Sequence, residues 1–127
     1  MLIYKGITDK FVEDYLEGFC KEHGIIYFPK DPLRLKWLRK WWKENKGKLP
    51  IIETKKDIKC WFCSYGVWGQ YHDDFNAISI CPWQIDRVGG LEDTIKHELT
   101  HLEHPEADTM SHEEKEKYIE SIDDKKS

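Results

Sequence analysis

Two periods of apolar spacing alternate along this chain, and the switches between them mark out its elements. In TDKFVEDYLEGFCKEH, residues 8–23, the positions Phe11, Val12, Tyr15, Leu16 and Phe19 recur at helical spacing and give one apolar face. Thr8 or Asp9 stands where an N-cap belongs, and Gly24 ends the segment. IIYF, 25–28, reads as a short strand. Asp31 and Pro32 then open a second helix, LRLKWLRKWWKEN, which runs to about Asn45 before Gly47. LPIIET, 49–54, reads as a strand. KCWFCSYGVWGQY, 59–71, is aromatic and β-prone but broken by glycines. HDDFN, 72–76, has turn chemistry, and AISIC, 77–81, is a strand closed by Pro82; the segments around the turn predict a hairpin. Gly89 and Gly90 precede a helix over Leu91–His104 that Pro105 stops. Ser111 and Glu114 form a capping box for a last helix ending near Ile122, followed by the tail DDKKS.

The length of 127 residues is that of one domain. We expect residues 1–48 to form a helical N-terminal part and 49–122 to carry the sheet and two further helices. With 39% hydrophobic residues and six tryptophans, the chain is too apolar for a disordered one. The net charge of −4 points to neither nucleic acid nor membrane. No apolar run approaches a membrane span, and MLIYKGITDKF lacks the charged-then-apolar layout of a secretion signal, so a cytoplasmic protein is expected. The charge is unevenly distributed. Lys30–Lys48 is basic apart from Asp31 and Glu44, while Glu92–Ser127 is acidic. The two stretches can attract each other within the fold, or the basic one can face an acidic partner.

The densest chemistry lies in IKHELTHLEHPEAD, residues 95–108. Inside it, His97-Glu98-Leu99-Thr100-His101 is an HExxH motif. Residues i and i+4 of a helix share a face, so both imidazoles can grip one ion, and zinc suits imidazole nitrogen. A water bound by that ion becomes more acidic, and Glu98, next to the first ligand, is placed to take its proton. Ile95, Leu99 and Leu102 supply the apolar stripe that buries such a helix. The competing reading is a surface helix with incidental histidines.

DTIKHELTHLEH resembles the active-site helix of zincin metallopeptidases, and more narrowly that of minimal zincins: SprT-like domains and archaeal minigluzincins. In those a hairpin with a pattern like G-x-Y…I-x-I precedes the motif; GQYHDDFNAISI, from Gly69 to Ile80, is the counterpart here. The resemblance covers roughly Gly66 to Ile122. It implies a small α+β zincin-like domain with a short, mostly antiparallel sheet, and a zinc-dependent peptidase acting on a peptide or protein substrate. It makes His97 and His101 zinc ligands and Glu98 the general base. It also implies that Ala77, Ile78, Ser79 and Ile80 belong to an edge strand that pairs with an extended substrate.

The third ligand is where the chain departs from these families. Metzincins need glycine at 104 and a ligand at 107, where this chain has His104 and Ala107. His104 itself rises about 10 Å along a straight helix from His97, which disfavours it. SprT-like domains use a His near the start of the following helix, which selects His112. The aromatic residue usual four positions later is Glu116 here, which keeps Glu113, Glu116 and Glu120 as gluzincin-type alternatives. Tyr118 is a candidate oxyanion stabiliser.

Cys60 and Cys63 form a CxxC that can hold a second zinc with Cys81 and either His72 or Cys20; a Cys63–Cys81 disulfide and plain buried thiols compete, and thiols are the default. In RLKWLRKWWKEN, basic residues interleave with Trp37, Trp41 and Trp42, a pattern that binds single-stranded nucleic acid. The stronger reading makes Leu35, Leu38, Trp41 and Trp42 a core-facing stripe. A non-catalytic zinc- or nucleic-acid-binding module, or a latent peptidase, is therefore the rival to the enzyme.

Overall fold

The computed structural model describes residues 1–8, 10–24, 31–64, 69–72, 76–83, 85 and 90–126. The expected strand at 25–28 and most of the 72–76 turn lie outside them. The chain runs β1 (Leu2–Ile7), α1 (Lys10–Glu22), α2 (Pro32–Asn45), β2 (Ile58–Phe62), β3 (Gly69–His72), β4 (Ala77–Ile80), α3 (Leu91–Glu103), a 3-10 segment (Pro105–Thr109) and α4 (His112–Lys126). This is an α+β domain. The strands form one sheet in the order β1-β2-β4-β3. β1 pairs parallel with β2, β2 parallel with β4, and β3 antiparallel with β4.

The sheet is therefore mixed rather than mostly antiparallel. The expected hairpin is present as β3–β4, but its edge is the reverse of the expected one. β4 is paired on both sides, by Lys59–Phe62 of β2 and by Gly69–His72 of β3. All four of its residues are buried. Ala77–Ile80 thus offers no backbone edge to a substrate, and the edge strand is β3. The expected helical N-terminal part opens instead with a strand. In β1 Leu2 and Gly6 are buried while Ile3 and Lys5 are exposed, the alternation of a half-buried strand. Conversely, 49–54 is not a strand. Pro50 cannot donate a ladder hydrogen bond, and the segment instead runs beside β1, accepting Leu2 N–H at Ile52 O (3.0 Å) and the Tyr4 hydroxyl at Pro50 O (2.5 Å).

Helices cover both faces. Phe62, Cys60, Ile58, Ile78 and Ile80 share a core with Leu38 of α2 and with Ile95 and Leu99 of α3. Trp61 points the other way, into a second cluster with Cys63, Cys81, Trp83 and Tyr15 of α1. α1 thus lies on one side of the sheet, and α2 and α3 on the other. Fully burying such a Leu, Ile or Phe contributes about 1.5–3 kcal/mol, so this cluster fixes α3 against the sheet firmly. The helix ends follow local rules. Asp31 Oδ1 accepts the Leu33 N–H (2.9 Å) with Pro32 in the first turn, and Ser111 Oγ accepts the Glu114 N–H (3.3 Å). α4 continues to Lys126, past the expected end near Ile122. No described helix is long and apolar enough to cross a membrane.

Candidate metal centre

α3 begins at Gly90, whose φ of 94° is open to glycine and strained for other residues. The buried stripe Ile95 and Leu99 faces the sheet. One turn apart on the adjoining face, His97 and His101 turn their Nε2 atoms towards each other, 3.2 Å apart. Pro105 ends α3 and the 3-10 segment reverses the chain. α4 then packs back on α3, with Ile119 fully buried.

That return brings Glu116 between the two imidazoles. Its Oε2 lies 3.1 Å from His97 Nε2 and its Oε1 3.2 Å from His101 Nε2. His97, His101 and Glu116 are the group among the described residues able to hold a metal ion, their ligand atoms all within 4.8 Å of one another. His112, expected from the sequence as third ligand, is exposed in the first turn of α4 and is not in this group. Glu113 and Glu120 are exposed as well.

The donor set fits a divalent ion. Zinc bonds of about 2.0–2.2 Å to nitrogen and carboxylate oxygen, opened to a tetrahedral angle, put ligand atoms about 3.3–3.6 Å apart; here the two nitrogens are 3.2 Å apart, each has a different Glu116 oxygen at 3.1 or 3.2 Å, and one atom from each residue lies within 4.8 Å of the others. Two Nε2–H groups can each donate to a different Glu116 oxygen, and a cation can take the place of those two protons. Hydrogen bonds from His101 and then His97 hold the Glu116 carboxyl well below the usual carboxylate range, outweighing its partial burial, so it stands ready as an anionic ligand. The His101 side chain is only 2% exposed, but His97 and Glu116 are 26% and 31% exposed. The group is thus closed on the His101 side and accessible on the side of His97 and Glu116.

Glu98 is 7% exposed. Its carboxylate lies against edge strand β3: a Cβ on Gly69 would stand 3.0 Å from Glu98 Oε1 and 2.9 Å from Thr94 Cγ2. A side chain at this position would require Thr94 or Glu98 to shift, so Gly69 leaves the room that the Glu98 carboxylate occupies. In the sequence Gly69 is the glycine of the G-x-Y pattern, which says nothing of its contact with Glu98.

Beside the centre, Tyr71 of β3 stacks on His101, ring centroids 4.5 Å apart and planes 8° from parallel. Its hydroxyl donates to Asp108 Oδ1 (2.8 Å) and accepts from Lys115 Nζ (3.1 Å). Further out, His104 Nδ1 is 2.8 Å from Glu106 Oε1, which also accepts the Tyr118 hydroxyl (2.9 Å). Those bonds, the one to His104 foremost, lower the Glu106 pKa, and the bond to Glu106 raises that of Tyr118. Tyr118 is thus engaged as a donor to Glu106.

The other sequence candidates fall elsewhere. Cys60 lies in the main core while Cys63 and Cys81 lie in the cluster on the opposite face. Residues three apart on an extended chain point to opposite sides, so this CxxC does not converge on one point. Burial raises the pKa of Cys20, Cys60 and Cys81 and favours the thiol over the metal-binding thiolate. All four cysteines are free and buried. The tryptophans of α2 turn inward. Trp41 and Trp42 pack on Phe62 (4.9 and 5.5 Å) and Trp37 meets Trp83 edge-on (5.2 Å). Lys36, Arg39, Lys40 and Lys43 are exposed.

Comparisons with family models, with curated proteins and with solved structures give no match for this chain.

Proposed function

We propose that this chain is a zinc-dependent metallopeptidase whose ion is held by His97, His101 and Glu116. The observation that carries this reading is the convergence of both Nε2 atoms and the Glu116 carboxylate, one ligand atom from each within 4.8 Å of the others, with one side accessible. Glu98, the neighbour of a ligand and absent from the ligand group, supplies the general base.

The ion, when bound, supplies Lewis-acid polarisation and a more acidic water. The chain supplies the rest. Glu98 receives the proton of the attacking water and passes it to the leaving amine. Edge strand β3, paired on one side by β4, presents its other backbone edge to an extended peptide next to Glu98 and His101. This moves substrate pairing from Ala77–Ile80 to Gly69–His72. Four buried thiols suit a reducing compartment, and we place the protein in the cytoplasm.

The test is hydrolysis of an unstructured protein such as casein by zinc-loaded parent and Glu98→Gln. The parent cleaves, and the variant keeps its zinc but loses about 10²–10⁴ in rate. A variant as fast as the parent removes Glu98 from the mechanism. A zinc-loaded parent without hydrolysis makes the chain a binding module.

A further inference from the structure

The ring of His101 is almost completely buried, yet its Nδ1 has no hydrogen-bond partner among the described residues. Metal-ligating histidines ordinarily donate their second ring N–H to a carboxylate, carbonyl or water, and that bond fixes the ring plane. Ring contacts are left to hold His101 in the orientation that aims Nε2 at Glu116. His97 meets it edge-on at 4.8 Å, and Tyr71 covers its face, lying parallel to the imidazole at 4.5 Å.

Tyr71 reaches further. Its hydroxyl accepts from Lys115, the residue before Glu116, and donates to Asp108 in the 3-10 segment that carries the chain from α3 to α4. The Lys115 ammonium also sits 5.6 Å from the Tyr71 ring centroid. One side chain on the sheet edge therefore touches a ligand on α3, the connecting segment and the turn of α4 that bears the other ligand.

We propose that Tyr71 is the positioning residue of this metal centre. Its ring sets the plane of His101, and its hydroxyl, through Lys115 and Asp108, sets the approach of Glu116. The inference rests on the metal-binding reading above and assigns the tyrosine no contact with substrate. It also ties the site to β3: a ligand that moves β3 moves the clamp on His101, so metal affinity and occupancy of that edge are coupled.

Zinc titration against a competing chelator and the visible spectrum of the cobalt(II)-loaded protein, on the full chain, test it. Tyr71→Leu removes both ring and hydroxyl; its zinc affinity should fall about 10–100-fold, the usual cost of losing an outer-shell partner, and its cobalt bands should shift. Tyr71→Phe keeps the stack; its cobalt spectrum should stay that of the parent while affinity falls by a smaller factor. Lys115→Ala, a change on the helix surface that the core tolerates, should match Tyr71→Phe in affinity. Parent-like affinity and spectrum in folded Tyr71→Leu overturn the proposal. If that variant does not fold, parent-like affinity in both Tyr71→Phe and Lys115→Ala overturns it. A parent protein that binds no zinc overturns the metal reading itself, so the two failures are distinguishable.

Discussion

Exchange of Glu116 for alanine, set beside exchange of His112, separates the two candidate third ligands. Glu116 presents both oxygens to the imidazoles at 3.1 and 3.2 Å, while His112 is exposed one helical turn earlier, about 6 Å along the axis. Structural zinc sites with four protein ligands bind with about 10–16 kcal/mol, or roughly 2.5–4 kcal/mol per ligand. At 1.4 kcal/mol per tenfold, losing one ligand weakens binding by roughly 10²–10³. Glu116→Ala should show that loss in a competitive zinc titration, and His112→Ala should bind within about threefold of the parent. The helix itself should survive both changes, because α4 is anchored by buried Ile119 and not by either side chain; far-ultraviolet circular dichroism of the metal-free variants checks this. A hundredfold loss in His112→Ala with parent-like binding in Glu116→Ala would refute the assignment and require α4 to pack one turn out of place.

Two further outcomes follow from the surroundings of the site. Gly69→Ala should lower hydrolysis while leaving zinc affinity near the parent's, since the added methyl meets Thr94 and Glu98 at 2.9 and 3.0 Å rather than the ligands; unchanged hydrolysis would show that Glu98 is not confined by β3. His72, buried between Ser79 and the rings of Tyr15 and Phe19, has its pKa pushed down to about 4 by desolvation. Its unfolded pKa of about 6.5 means that the unfolded chain binds the extra proton between those values. This part of the stability is fully present above about pH 6.5 and is lost as pH falls towards 4; the difference is worth about 3 kcal/mol. Urea unfolding from pH 7 to 4 should show a shallower loss for His72→Gln than for the parent, and parallel curves would contradict the burial argument.

Much of the helical framework was legible because helix ends obey local chemistry. Asp31-Pro32, Ser111 and Pro105 act within a turn of themselves, and the apolar spacing of Ile95, Leu99 and Leu102 needs no distant partner. Strand pairing is not local. Nothing in LIYKGI announces a strand joined in parallel to residues 58–62, and nothing in AISI distinguishes an interior strand from an edge. A short run such as LPIIET carries strand composition but loses the role through Pro50 and through where β1 happens to lie. The HExxH pair was legible for the same reason as the helices, since i and i+4 share a face in any helix. The third member of the group, Glu116, was not. Ser111 correctly marks the start of α4, but how far along that helix the chain meets α3 depends on the 3-10 reversal at Pro105–Thr109. Among so many carboxylates, no local signal singles out Glu116. The roles of Gly69 and Tyr71 depend on β3 lying against α3, which again only the fold supplies.

The most direct test of the metal centre is a crystal structure of zinc-soaked protein with an anomalous difference map at the zinc edge. The account predicts one strong peak bonded at about 2.0–2.2 Å to Nε2 of His97, Nε2 of His101 and the Glu116 carboxylate. A peak at the cysteines, a peak bonded to His112 in place of Glu116, or no peak beside His97 and His101 would contradict it.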